Sequence, residues 1–161
     1  MSEELDAPVV AFLTDAGVTA TRADGGALVL TSGEVSLVVR QDVDWSVEVV
    51  ERGHSDGIYL TTPDRDVVER YVVRWAGGIW RSRLGWPLLS AWQMELPAHV
   101  TLVQDAHGRF SVHHDDRPVA SGMLDVQAKG LAVLVAHPVQ GVVTAYRDHA
   151  GRPVFSGDAE V

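Results

Sequence analysis

The chain has 161 residues, and 22 acidic against 13 basic side chains give it a formal charge of −9 at pH 7. Its hydrophobic and charged fractions of 46% and 22% are ordinary for a globular protein and exclude intrinsic disorder and fibrous repeats. A chain of this length suits one domain, which we expect over residues 1–161. Because phosphate groups are bound by a surplus of cationic side chains, the acidic balance argues against nucleic acids and anionic membranes as partners.

The cysteine content, the N-terminal sequence and the longest apolar stretch restrict the possible kinds of site and the cellular compartment. Cysteine is absent, which excludes a disulfide framework, a thiolate nucleophile and a zinc ribbon. The opening MSEELDAPVVAFL is acidic and never becomes a sustained apolar run, the reverse of a secretory signal. The longest uncharged apolar stretch, residues 130–138, is too short to span a bilayer. These features predict a cytoplasmic protein.

The first 62 residues predict one helix followed by strands. Apolar residues from Leu5 to Ala16 recur at 3.6-residue spacing, and Gly17 supplies a common helix end. From Val18 to Thr62 the period changes to two, in short β-branched runs separated by Gly- and Asp-rich turns. This pattern predicts four or five antiparallel strands.

A central helix is predicted after these strands. The sequence TPDRD at residues 62–66 is typical of a helix start, with Thr62 as the cap, proline in the first turn and carboxylates at the positive end of the helix dipole. An apolar stripe then continues to Trp75, and the glycine pair at 77–78 predicts a stop or a kink. A connector bearing proline and tryptophan follows at residues 85–97.

The last third predicts further strands and a short helix. Pro138 begins an amphipathic segment of helical period, and residues 153–156 predict a closing strand. The other alternating runs, predicted as three or four strands, are residues 100–104, 110–113, 119–121 and 131–136. The expected fold is therefore α+β: a mostly antiparallel sheet with an N-terminal helix, a central helix and a short C-terminal helix.

No motif in the sequence predicts catalysis, a cofactor or a metal. The adjacent His113 and His114 would point to opposite faces of a strand, and no HExxH or similar pair supports a metal site. A G-x-S-x-G elbow and both glycine-rich phosphate loops are missing. The sequence thus predicts no catalytic, cofactor-binding or metal-ligating residues and a protein that is not an enzyme.

Aromatic and cationic residues crowd the segment after the central helix. Four of the five tryptophans lie from Trp75 to Trp92, together with Arg81 and Arg83, and Arg74 directly precedes them. Such mixtures are typical of protein interfaces, although tryptophans here could equally hold the connector on the sheet. The candidate interface residues are Arg81, Arg83, Trp86 and Trp92.

Two segments, YVVRWAGGIWRSRL at 71–84 and YRDHAGRPVF at 146–155, resemble the TNT antitoxin family, the immunity factors of the tuberculosis necrotizing toxin. The order of the predicted elements agrees with that family. Its pattern is aromatic-x-Gly-Gly-x-x-Arg-Ser at the end of the central helix and Asp-x-x-Gly-Lys/Arg-Pro-hydrophobic-Phe after the C-terminal helix. The matching residues, mainly structural in character, are Trp75, Gly77, Gly78, Arg81 and Ser82, then Asp148, Gly151, Arg152, Pro153, Val154 and Phe155.

The resemblance implies an intracellular antitoxin that binds a secreted NAD glycohydrolase toxin and blocks its substrate site until export. It implies no catalysis and no cofactor. The acidic charge suits this role, because a site that holds a pyrophosphate is cationic and attracts carboxylates. Two other classes remain open: a ligand-binding or enzymatic domain with a pocket under the connector from Trp80 to Trp92, and a scaffold module without a toxin partner.

Overall fold

An eight-stranded antiparallel sheet organises the computed structural model, which describes residues 4–155. The strands lie in the order β1-β2-β3-β4-β5-β8-β7-β6, so the two halves of the chain meet between β5 and β8. Their bounds are Thr19–Arg22 (β1), Leu28–Ser32 (β2), Val35–Gln41 (β3), Trp45–Glu51 (β4), His54–Thr62 (β5), Val100–Gln104 (β6), Phe110–His114 (β7) and Arg117–Met123 (β8).

The first five strands form a meander with one buried face, which confirms the predicted antiparallel strands between residues 18 and 62. Leu30 pairs with Leu37, and Val47 pairs with Leu60, and all four side chains are buried. The alternate residues point to the opposite face, where the hydroxyls of Thr31 and Ser36 lie 2.8 Å apart. The period of two in this part of the sequence therefore reflects the burial of one face of the sheet.

Helices cover the apolar face of the sheet. They are Ala7–Asp15 (α1), Arg65–Arg83 (α2), Asp125–Leu134 (α3) and Val139–Arg147 (α4), and they share one hydrophobic cluster with the strands. Phe12 and Leu13 of α1 are buried in it, as are Leu131 and Leu134 of α3. The four helices and the sheet confirm the predicted α+β class.

The start of α2 differs from the prediction in which residue caps it. Asp64 is the cap, and its carboxylate accepts a hydrogen bond from the Asp66 N–H at 2.9 Å. The Thr62 hydroxyl instead donates to the Val119 carbonyl at 2.6 Å and accepts from the Asp64 N–H at 3.0 Å. Thr62 thus ties β5 to β8 while the aspartate two residues later satisfies the helix.

The predicted end of the helix at the glycine pair is wrong, because α2 runs through Gly77 and Gly78 to Arg83. Two predictions in the last third are also corrected. The run at 131–136 is not a strand: it lies mostly in α3 and is buried on every side, so it has no period that distinguishes helix from strand. Residues 153–155 form a turn rather than a strand, and Ser156 lies outside the described residues.

Contacts between α1 and α2 show how these two helices are oriented and which parts of the chain lie at each end of α2. The helices run in the same direction: the Asp6 carboxylate pairs with Arg65 at 2.9 Å, and the Arg83 Nη1 donates to the Ala16 carbonyl at 2.7 Å. The β3–β4 and β7–β8 turns lie beside the start of α2, where Val43, Asp64 and Asp115 line one surface depression. The connector lies at the opposite end, after the last turn of α2.

Candidate functional site

Arg81 joins the two segments that resemble the antitoxin family. Its side chain is only 1% exposed. The guanidinium donates to the carbonyls of Pro87 at 2.7 Å, Asp148 at 2.7 Å, Tyr146 at 3.4 Å and His149 at 2.6 Å. Burial lowers the pKa of Arg81, while the neighbouring Tyr146 and Asp148 raise it. The cation therefore fastens both the connector and the turn after α4 to the end of α2.

The turn after α4 is held by its own aspartate. The Asp148 carboxylate accepts from the Arg152 N–H at 3.1 Å and the Ala150 N–H at 2.9 Å, and the Arg152 guanidinium lies 3.4 Å away. Hydrogen bonds from Arg152 and Ala150 hold the pKa of Asp148 below its usual range. The carbonyls that accept from Arg81 are thus presented by a turn that is already ordered.

The glycine pair of α2 has two different roles. A Cβ on Gly77 would lie 2.1 Å from Cδ1 of Tyr146, whereas a Cβ on Gly78 would meet nothing within 4 Å. Tyr146 is buried and packs edge-on against Phe155, with ring centroids 5.3 Å apart. Gly77 is therefore required for the close approach of α2 and α4, and Gly78 is not.

A pocket of about 430 Å³ lies under the connector, where the alternative hypothesis expected one. Four of its residues, Tyr71, Arg74, Trp75 and Gly78, recur at helical spacing along one face of α2. The rest of the lining comes from the sheet, the connector, α3 and α4: Leu37, Val49, Tyr59, Leu88, Leu89, Ser90, Trp92, Val126, Gln127 and Tyr146.

Two polar side chains of the pocket, those of Arg74 and Gln127, carry groups that lack a hydrogen-bond partner within the described part of the chain. No hydrogen bond or ion pair joins the half-buried Arg74 guanidinium to another of the residues 4–155. Oε1 of Gln127 is buried and lacks a donor among the same residues. Burial raises the pKa of Tyr71 and of Tyr146 to about 12, and the nearby Arg74 charge opposes that rise in both. Arg74 and both tyrosines line the same pocket.

The rim of the pocket is apolar and exposed. Leu88 is 64% exposed, Trp92 44% and Val126 48%, and all three line the pocket. We call these three residues the rim. Isolated exposed apolar residues are common, but a cluster around a concave site is typical of binding surfaces.

The predicted interface residues have three different surroundings. Trp92 belongs to the exposed rim. Trp86 is half-buried and packs edge-on against His149 at 5.1 Å, with the Arg81 guanidinium 5.4 Å from its ring. Arg83 is exposed and bonds to the end of α1. The buried Arg81 bonds inside the protein, so its side chain is not presented to a partner in this structure; an interface role for the other three stays a prediction.

Sequence reasoning noticed Arg74 in the crowded segment without assigning it to a site, and it missed Leu88, Val126 and Gln127. One signal was available for Arg74: the arginine stands inside the apolar stripe of α2, between Tyr71 and Trp75. A cation on the buried side of an amphipathic helix needs a partner or a pocket. The other three depend on how the connector and α3 pack together, which no local pattern predicts.

Carboxylates gather at the end of the sheet remote from the pocket. The β3–β4 turn carries Asp42 and Asp44 on either side of Val43, which is 95% exposed, and the β7–β8 turn carries Asp115 and Asp116. We call these four aspartates the acidic end. Across residues 4–155 no group of three or more histidine or carboxylate side chains is placed to hold a metal ion.

No single helix among the described residues is long and apolar enough to cross a membrane. Helices α3 and α4 pass that test of length and composition together, but they are bent by 104°.

Comparisons with known proteins give one family and one fold. The sequence profile of the family described as Immunity protein 61 matches residues 12–154. The fold is similar to that of Rv3902c from M. tuberculosis, with a TM-score of 0.80 and 18% sequence identity over 95% of this chain and 94% of that chain. No curated protein sequence gives a significant match.

Proposed function

Because this chain belongs to the Immunity protein 61 family, we propose that it is an antitoxin that binds a cognate toxin domain and occludes its active site. The profile match over residues 12–154 is the observation that carries the proposal. It spans every helix and strand from the end of α1 to the turn after α4. In this role the protein works by binding in the cytoplasm and performs no catalysis of its own.

We further propose that the toxin is an NAD glycohydrolase. The support is the resemblance of residues 71–84 and 146–155 to immunity factors of that toxin class. Arg81 links these two segments, so the resemblance falls on a single structural unit rather than on two unrelated motifs. The acidic end is consistent with a partner whose substrate site is cationic.

For the toxin contact we propose the rim and the neighbouring surface of the connector. Trp92 offers a large aromatic side chain that is already positioned at the mouth of a pocket, and Leu88 and Val126 lie beside it. Buried aromatic anchors surrounded by smaller apolar contacts supply most of the free energy of binding at protein interfaces. Arg83 and Trp86 lie at or near the edge of the same connector.

The test is co-expression with the product of the neighbouring gene that encodes a toxin domain. Growth and intracellular NAD are measured with and without the antitoxin, and the purified pair is assayed for a complex by size-exclusion chromatography. We expect the wild-type chain to restore both growth and NAD. A toxin that kills without lowering NAD would contradict the proposed toxin class, and a neighbouring toxin domain that is neither bound nor neutralised would contradict the antitoxin role.

Matched variants locate the contact. Trp92→Ala combined with Leu88→Ala truncates two of the three rim residues, while Ile58→Ala truncates an exposed apolar residue on β5 that does not line the pocket. We expect the rim variant to bind the toxin at least about 100-fold more weakly, the size of effect seen at interface anchors. The Ile58 variant should bind as the wild type does. Equal affinities for all three proteins would place the contact elsewhere.

A further inference from the structure

Arg74 differs from every other arginine on α2 in having no partner among the described residues. Arg65 pairs with Asp6, Arg70 donates to the His137 carbonyl, and Arg81 and Arg83 donate to the carbonyls described above. The Arg74 guanidinium lies half-buried in the pocket without a hydrogen bond or an ion pair. A partly desolvated cation that is left unpaired favours binding of an anion.

The surrounding structure leaves room for this side chain. A Cβ on Gly130 of α3 would lie 2.5 Å from Cζ and Nε of Arg74 and 2.6 Å from Nη2. Any larger residue at position 130 would push the guanidinium away, so the glycine permits α3 to pack directly against it. The guanidinium thereby lies between α2 and α3 at the wall of the pocket.

A second unsatisfied group, with the opposite requirement, belongs to a residue that lines the same pocket. Oε1 of Gln127 is buried and has no donor among residues 4–155, although a buried acceptor normally has one. The pocket thus offers a cationic donor at Arg74 and a neutral acceptor at Gln127. A ligand that satisfies both carries an anionic group and an N–H or O–H donor.

The remaining walls favour a flat apolar body. Tyr71, Trp75 and Trp92 supply aromatic surface, and Leu89 adds aliphatic surface. The volume of 430 Å³ falls within the range of about 300–1,000 Å³ that is usual for small-molecule sites. An aromatic ring system placed between such side chains gains from both burial and stacking.

We propose that the pocket under the connector is a binding site for a small aromatic carboxylate that also carries an N–H donor. The carboxylate lies against the Arg74 fork, which accommodates two parallel hydrogen bonds. A rotation of the Gln127 amide brings its buried Oε1 to the pocket, where it accepts from the ligand N–H, and the ring lies among the aromatic side chains. The site does not depend on the proposed antitoxin role, and its test needs no toxin.

Three commercially available probes separate the contribution of the carboxylate from that of the N–H donor, with affinities measured by isothermal titration calorimetry. Indole-3-acetate has the carboxylate and the N–H, indole-3-acetamide keeps the N–H but is neutral, and naphthalene-1-acetate keeps the charge but lacks the N–H. We expect indole-3-acetate to bind at least about tenfold more tightly than its amide, a factor that corresponds to about 1.4 kcal/mol. It should bind about threefold or more tightly than naphthalene-1-acetate, the range of a neutral hydrogen bond.

Variants assign the preference to Arg74. Arg74→Met should bind acid and amide equally, and Arg74→Lys should keep a reduced preference because it retains charge without the planar fork. The control is Arg117→Met, on exposed β8 at the other end of the domain, which should bind as the wild type does. Thermal unfolding of each variant establishes that it is folded. If Arg74→Met does not fold, the lysine variant and the probe series on the wild type still decide the question.

The tryptophan side chains report the location independently of any variant. In ¹H–¹⁵N spectra, the indole signals of Trp75 and Trp92 should shift with indole-3-acetate, and that of Trp45, which lies on β4 outside the pocket, should not. Absence of saturable binding, equal affinity for acid and amide, or an acid preference that survives in Arg74→Met would each overturn the proposal. Shifts confined to Trp45 would overturn it as well.

Discussion

Replacing each glycine of the α2 pair by alanine should have opposite effects on stability. In a helix interior, glycine is less favourable than alanine by about 1 kcal/mol, so both substitutions gain this amount. At Gly78 nothing lies within 4 Å of the new methyl group. We therefore expect Gly78→Ala to raise the free energy of unfolding by up to about 1 kcal/mol, or the melting temperature by about 2–4 °C for a domain of this size.

At Gly77 the same methyl group would collide with a buried ring. Its Cβ would lie 2.1, 2.4 and 2.5 Å from three ring atoms of Tyr146. The ring cannot move aside freely, because it is buried and packs against Phe155. Overpacking costs about 1–3 kcal/mol in typical cores, and a contact this short belongs at the upper end. After the helical gain is subtracted, we expect a net loss of about 2 kcal/mol, or about 4–8 °C.

Urea denaturation followed by far-ultraviolet circular dichroism measures both variants against the wild type. The double variant Gly77→Ala with Tyr146→Leu tests the cause, because a smaller side chain at position 146 relieves the collision. Its loss of stability should be smaller than the sum of the two single losses. A Gly77→Ala protein as stable as Gly78→Ala, or strictly additive losses in the double variant, would refute the close approach of α2 and α4.

Three further predictions concern Arg81, Glu69 and the salt dependence of association with the toxin. Arg81→Met should lower the free energy of unfolding by about 3 kcal/mol or more. Arg81→Lys should not restore this stability, because one ammonium cannot reach the carbonyls of Pro87, Asp148 and His149 together. Full rescue by lysine in urea denaturation would contradict this prediction. Burial raises the pKa of Glu69, whose Oε2 has no partner in the described chain. The ionised carboxylate therefore opposes folding, and its cost to the free energy of folding grows as the pH rises through the raised pKa. The stability of Glu69→Gln relative to the wild type should therefore be greater at pH 7 than at pH 4, and an equal or reversed difference would contradict this. Association with the toxin domain, measured by stopped flow, should slow between about 0.01 and 0.1 M salt and change little above that; a rate that keeps falling steeply at higher salt would place the acidic end in the contact.

The sequence predicted the elements whose burial is one-sided. In β4, buried Trp45 and Val47 alternate with partly exposed Ser46 and Glu48, and this alternation is visible in the sequence as period two. Helix α4 is predicted for the same reason, because its polar side remains exposed. Residues 131–136 were assigned incorrectly since burial on all sides of α3 removes the periodic signal.

Side-chain roles that depend on a second segment were beyond sequence reasoning. The glycine pair is a common helix breaker locally, but Gly77 is explained by a ring 69 residues further along the chain. Arg81 likewise looked like an interface cation, because arginine is usually exposed. Its carbonyl partners belong to a connector and a turn whose positions follow only from the packing of α4 on α2.

The acidic end and the apolar rim are separate surfaces, and this separation determines which of them controls association with a toxin and which controls dissociation. The acidic end lies beside the start of α2, whereas the pocket that the rim surrounds is lined by Tyr71 to Gly78 of that helix. These residues lie 6 to 13 positions after Arg65, or roughly 9–20 Å along the axis at about 1.5 Å per residue. The Debye length is about 30 Å at 0.01 M salt and about 10 Å at 0.1 M. If the toxin binds the rim, carboxylates at the far end attract it only at low salt, and packing around Trp92 then determines how long the complex lasts. The double variant Asp42→Asn with Asp44→Asn should consequently associate with the toxin more slowly than the wild type at 0.01 M salt. Its association rate at 0.1 M salt and its dissociation rate should be unchanged. Faster dissociation of this variant would instead mean that the acidic end itself contacts the toxin.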